Sequence, residues 1–230
     1  MFLVNQPRIQ QYLEDDRTSA RLSMYSSAGD EQLVCQRWLR QSAPKRFIHD
    51  MLYGDLFEGG RSFKVLDVGG GLTGLSSHLA TRHDYELIDL LAHDPKDAAE
   101  TMMRAAGRRF VTAADWASVP PAGHDLVVAN DLFPNVDQRL ELFLEAYLPR
   151  AKSIRLSLTY YDSPRFYMTR RIDGEEVLCM LAWNGAHLQR VLSKYQTHIV
   201  SPDLGCFAAP PESVYENGRQ VCLLELHGQG

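Results

Sequence analysis

The residues best suited to chemistry lie between Val65 and Ser76, VLDVGGGLTGLS, where an apolar run passes into Gly69, Gly71 and Gly74 at G-x-G-x-x-G spacing and then into a helical pattern. Glycines in such a turn let the backbone bend sharply and approach a ligand closely, and a helix start presents amide groups. The turn suits a dinucleotide, a nucleoside, or no ligand at all. Asp67, two residues before the first glycine, separates the first two: a carboxylate there repels a pyrophosphate and attracts an ammonium group. Its plainer role is to accept from the loop's own amides. Asp89 ends the next apolar run, 22 residues after Asp67, where an acid accepts from both hydroxyls of a ribose in either kind of nucleotide site.

The pattern D-x-G-x-G-x-x-G formed by Asp67, Gly69, Gly71 and Gly74 resembles the first motif of the class I S-adenosylmethionine-dependent methyltransferases, whose cofactor lays its amino acid moiety over this loop. The resemblance covers residues 63–160 and identifies no particular family within the superfamily. It implies an α/β fold: a Rossmann-like, mostly parallel seven-stranded sheet with helices on both faces, carrying an N-terminal helical extension and an inserted β-hairpin. S-adenosyl-L-methionine is the implied cofactor, with Asp115 and Trp116 at the adenine and Asn130 and Asp131 where methyl donor and acceptor meet. In a polar turn Asp115 is equally a plain surface acid.

Methyl transfer from a sulfonium is an in-line displacement, so orientation of donor and acceptor supplies most of the catalysis. A base helps an amine or hydroxyl acceptor. Asp131 is the best-placed candidate, with Asn130 orienting, and a cationic acceptor is expected to be drawn to Asp131 as well. The run Asn130, Asp131, Leu132, Phe133, Pro134 matches only in part the Asn-Pro-Pro-aromatic motif of methyltransferases acting on planar amino groups, because Asp131 and Leu132 replace both prolines. Phe133, Tyr160, Tyr161 and Tyr25 are the candidate acceptor contacts. Phe133 also suits a core, adjacent tyrosines on an unbroken strand face opposite sides, and Tyr25 lies in a polar break between helices.

The elements that must position these residues follow from periodicity. Residues 1–60 read as a helical extension, a cofactor or substrate lid. One helix runs from Pro44 with Phe47, Ile48, Met51, Leu52 and Leu56 inward, and another from Asp30 buries Leu33, Val34 and Trp38. Residues 61–230 read as the main domain, with strands at 64–68, 85–89, 109–112, 125–130 and 153–160 alternating with helices. Asp94, Pro95 and Asp97 begin one such helix. A hairpin occupies about 164–183 around the Asp173-Gly174 turn. Asn184 caps a helix, and 197–200 and 220–226 read as closing strands. Residues 201–211 have no assignment.

Composition bounds the partners. The 230 residues carry 24 basic against 29 acidic side chains, a net charge of −5 without long runs of one sign, which argues against a nucleic-acid surface. No basic and apolar leader and no spanning segment is evident, so a cytoplasmic protein without membrane contact is expected. Cys35, Cys179, Cys206 and Cys222 form no C-x-x-C and the histidines show no ligand spacing, so no metal is expected and the thiols read as free and mostly buried. The modest helices and hairpin favour a small acceptor, such as an amino-acid-derived or natural-product metabolite, and leave a homodimer open. The competing readings are a nicotinamide-dependent reductase and a non-catalytic nucleoside-binding protein.

Overall fold

The computed structural model describes residues 1–94, 96–170 and 177–230. After the short strand β1 (Phe2–Leu3) come four helices, α1 (Gln6–Leu13), α2 (Arg17–Tyr25), α3 (Val34–Gln41) and α4 (Ala43–Tyr53). The chain then alternates β2 (Lys64–Val68), α5 (Gly74–Arg82), β3 (Asp84–Asp89), α6 (Lys96–Ala106), β4 (Val111–Ala113), β5 (His124–Asn130), α7 (Leu140–Tyr147) and β6 (Ala151–Tyr160). The hairpin β7 (Arg165–Arg170) and β8 (Val177–Ala182), α8 (Gly185–Ser193) and β9 (Gln220–His227) complete it. The expected hairpin turn at Asp173 and Gly174 and the helix-start Pro95 lie outside the described residues.

The main sheet has the order β1-β9-β6-β5-β2-β3-β4, with β9 antiparallel to both neighbours and the other pairs parallel. Successive strands run to one side of β2 through β3 and β4, then to the other through β5 and β6. That reversal opens a crevice at the carboxyl ends of β2 and β5, the place where open α/β sheets bind ligands. Strands buried on both sides are nearly all apolar, as Val65, Leu66, Val127, Val128, Ile154 and Leu156 show.

Each sheet face has its own core. Phe143, Leu144 and Tyr147 of α7 and Leu188 and Leu192 of α8 pack on one face with Val127 and Ile154. On the other, Ile9, Leu22, Phe47 and Leu52 of the N-terminal helices share a single core with Leu75, Tyr85, Leu126 and Val128. Helices α1, α2 and α4 are therefore one layer of the sheet domain. Among the described residues no helix is long and apolar enough to cross a membrane.

Several local expectations change: Met51 of α4 is exposed rather than inward, and the strand expected at 109–112 is Val111–Ala113. The stretch from Asp30 is a 3-10 turn, Ala28–Gln32, and the α-helix starts at Val34, whose amide donates to Asp94 Oδ1 at 2.8 Å; Trp38 is only partly buried. Residues 197–200 form no strand: Ile199 makes a single bridge to Leu226, and the edge is continued by β1, where Phe2 and Leu3 pair with Leu223 and Cys222. The Met1 amine donates to the Val200 carbonyl at 2.9 Å, so two distant segments share one edge. Residues 204–208 form a 3-10 turn that buries Phe207. Of the four cysteines only Cys222 is buried, while Cys179 is exposed because the hairpin pairs only with itself and stands off the main sheet.

Candidate active site

A cavity of about 850 Å³ opens over the carboxyl ends of β2, β3, β5 and β6, walled by α3, α4 and the hairpin. Its floor is the glycine loop. Gly69 and Gly71 have φ of +71° and +74°, which favour glycine. A Cβ at Gly70 would lie 2.3 Å from Asp67 Oδ1, and one at Gly71 2.3 Å from Cys35 Sγ. The loop is thus a cradle that any side chain would fill.

The helix behind the loop offers less to an anion than its sequence suggests. The Gly74 amide donates to Gln36 Oε1 at 2.9 Å, Ser76 N to Thr73 Oγ1 at 3.0 Å and Thr73 N to Ser76 Oγ at 3.0 Å. Gly69 N donates to the Ile88 carbonyl and Gly71 N to Asp89 Oδ2 at 3.1 Å. The amides that would cradle a pyrophosphate are largely engaged by the chain itself, and Asp67, Asp89 and Asp94 line the same region.

Asp67 is buried beneath the loop, where Oδ1 accepts from the Tyr53 hydroxyl at 3.0 Å and Oδ2 from Tyr85 at 2.7 Å. Burial pushes its carboxyl up to about 7 against these two hydrogen bonds, and the Asp89 charge adds to the rise. A carboxylate has about four acceptor positions, so two bonds leave room for a ligand donor. Asp89 Oδ1 accepts from Leu91 N at 2.7 Å, which fixes the acid at the mouth of the next strand.

The third acid is part of a network. Both Asp115 oxygens lie 3.0 Å from Arg139 Nη2, and Asp137 Oδ2 accepts from the same guanidinium and from Trp116 Nε1 at 2.8 Å. Arg139 lies over the Trp116 ring, 5.0 Å from its centroid. The cluster makes a flat, hydrogen-bonding wall.

At the end of β5, Asn130 Oδ1 accepts from Ser157 Oγ at 2.8 Å, and that hydroxyl accepts from Asp131 N at 2.7 Å. Asp131 has φ of +57°, a conformation aspartate tolerates better than most residues. Its Oδ1 accepts from Thr159 Oγ1 at 3.0 Å and Asn135 Nδ2 at 3.1 Å; its Oδ2 accepts from Lys45 Nζ and Arg219 Nη1, both at 3.1 Å. Burial would raise this carboxyl, but Arg219 and Lys45 outweigh it and hold the group down at about 2.

No family model and no curated protein sequence matches the chain. Solved structures do. Burkholderia thailandensis 1,6-didemethyltoxoflavin-N1-methyltransferase, with bound 1,6-didemethyltoxoflavin and S-adenosylhomocysteine, has a TM-score of 0.52 at 17% identity over 96% of this chain and 90% of that one. N-methyltransferase NodS from Bradyrhizobium japonicum WM9, in complex with S-adenosylhomocysteine, has 0.51 at 11% over 93% and 99%. Magnesium protoporphyrin IX methyltransferase from Synechocystis PCC 6803, with bound SAM, has 0.50 at 16% over 93% and 97%. The fold is that of the class I methyltransferases.

Within this methyltransferase fold the cavity brings together Asp67, Gly69, Gly71, Asp89, Asp115, Trp116, Asn130, Asp131 and Tyr161. Three expected acceptor contacts lie elsewhere. Phe133 is wholly buried against Trp116 and Phe143 because its turn folds back onto α7. Tyr160 points to the opposite side of β6 from Tyr161 and packs on Phe207. Tyr25 stacks on His78 with ring centroids 3.6 Å apart and does not line the cavity. Trp38, expected only as a buried helix residue, lines it, as do Lys45, Tyr53, Tyr167, Tyr215 and Arg219, which the sequence did not single out. Only the hairpin gave a usable signal: Tyr167 pairs with Met180 on its inner face, while Phe166 and Met168 are exposed on the other.

Proposed function

We propose that the chain is an S-adenosylmethionine-dependent methyltransferase acting on a nitrogen or oxygen of a small molecule. The observation that carries the reading is the donor set of the glycine loop: its amides are engaged by Gln36, Thr73, Ser76 and Asp89, and carboxylates face the space above. That set fits a group bearing an ammonium and a ribose and disfavours a diphosphate. Asp67 would hold the ammonium, Asp89 the ribose hydroxyls, Asp115 and Trp116 the base, and Asn130 the region of the reacting atoms, with Gly69 and Gly71 permitting close approach. When bound, the cofactor supplies an electrophilic methyl group on a sulfonium.

The chain's own contribution is orientation and exclusion of water. Asp131 is a weak proton acceptor, since it is surrounded by donors and held near 2. Burial lowers His49 to about 3 and raises Tyr167 to about 12, so neither is tuned to take a proton at neutral pH. Asp131 instead positions Lys45 and Arg219. The test is turnover with S-adenosylmethionine across a panel of small amines, hydroxyl compounds and their acids, read as S-adenosylhomocysteine release. Methylated product is expected with at least one class, whereas cofactor binding with no product across the panel would favour the non-catalytic reading.

A further inference from the structure

The charge around Asp131 does not balance. Lys45 and Arg219 place two positive charges on one carboxylate. The other shared ion pairs among the described residues carry the opposite surplus: Arg17 and Arg21 divide Asp50 between them but also reach Asp15 and Glu58, Arg139 serves both Asp115 and Asp137, and Arg155 serves Asp55 and Glu225. The surplus at Asp131 faces the cavity, which both cations line.

The surplus is also built in. Arg219 is only 12% exposed, stacks on the Tyr215 ring at 4.1 Å, and has an Nε without a hydrogen-bond partner among the described residues. Its loop is tied by the Ser213 hydroxyl, which reaches the carbonyls of Tyr215 and Arg219. Lys45 stands in the first turn of α4, capped by Ser42, with its ammonium 5.4 Å from the centre of the Trp38 ring. A partly desolvated cation with no matching charge is unfavourable until an anion meets it. Tyr161, Tyr167, Tyr215 and Trp38 supply aromatic surface around the pair.

We propose that the methyl acceptor carries a carboxylate, gripped by Lys45 and Arg219 at the Asp131 end of the cavity and flanked by aromatic rings. The inference rests on the methyl-transfer reading and reverses the expectation of a cationic acceptor, because the Asp131 charge is already more than cancelled. The carboxylate is a recognition handle for the two cations.

The test is binding. Wild-type protein saturated with S-adenosylhomocysteine is screened by saturation-transfer NMR against aromatic carboxylic acids, each paired with its primary amide and its amine. The acids are expected to bind in preference to both partners and to weaken as salt is added. Arg219→Gln and Lys45→Gln should each weaken acid binding by about tenfold or more, as loss of a charge-assisted contact does, while Arg219→Lys retains most of it. S-adenosylhomocysteine affinity is measured on the same variants, and acid binding is expected to fall by more than cofactor binding does. Amides or amines binding as well as the acids, or no acid binding, in the wild-type protein overturns the inference while leaving methyl transfer standing. Failure to bind S-adenosylhomocysteine at all overturns both.

Discussion

The Tyr85 hydroxyl donates to Asp67 Oδ2 at 2.7 Å, so the acid under the glycine loop is held from the neighbouring strand as well as by Tyr53 of α4. This grip places a carboxylate in a site where burial keeps it protonated to about pH 7. The folded chain therefore retains a proton that the unfolded chain releases near pH 4, so the contribution of Asp67 to stability is full below that pH and is lost as pH rises through 7. Asp67→Asn removes the dependence. Urea unfolding of both proteins should show the variant gaining on the wild type between pH 4.5 and 8, by about 3 kcal/mol for a rise of this size. A difference independent of pH would contradict the assignment.

Cofactor binding should expel that proton. An ammonium beside Asp67 favours the ionised form, so S-adenosylhomocysteine should bind more tightly at pH 8 than at pH 5.5 by about tenfold, with about one proton released near pH 6. Calorimetry in two buffers of different ionisation enthalpy measures the release. Asp67→Asn should show none.

Two glycines separate steric need from simple flexibility. Gly70→Ala puts a methyl group 2.3 Å from Asp67 Oδ1 and should abolish cofactor binding and lower stability by about 1–3 kcal/mol. Gly60→Ala meets nothing within 4 Å and should leave both within about 0.5 kcal/mol of wild type. Thermal melts with and without S-adenosylhomocysteine compare them.

Asp131→Asn tests positioning against proton transfer. It leaves Lys45 and Arg219 without a counter-charge and should cost about 2 kcal/mol, less than the roughly 3–5 of a fully buried pair. Activity should fall chiefly through a raised KM, with the acid limb of the kcat profile unchanged. A variant with normal KM whose kcat has lost an acid limb would restore Asp131 as the base.

The sequence showed the strand-end polar residues because each sits at a fixed place in a local pattern: Asp67 before glycines, Asp89, Asn130 and Asp131 at the close of apolar runs. The partners that decide what those acids do come from far along the chain. Lys45 and Arg219 reach Asp131 across 86 and 88 residues, and neither stands in a motif. Tyr53 and Tyr85 are core residues of a helix and a strand, apart from the hydroxyl at the tip, and nothing local marks them as site residues. The composite edge of Met1, β1 and Ile199 was illegible for a similar reason, since no local period reports a pairing across 199 residues. Phe133 and Tyr160 show the reverse error: an aromatic at a strand end is placed near the cleft by its position and sent into the core by its side-chain direction.

The most direct measurement is a paired calorimetric titration of the purified chain with S-adenosylhomocysteine and with NADH, repeated on Asp67→Ala. Saturable binding of S-adenosylhomocysteine, weakened at least about tenfold by the substitution, and no heat from NADH is the expected result. NADH binding across the glycine loop, or S-adenosylhomocysteine affinity unmoved by Asp67→Ala, would contradict the account.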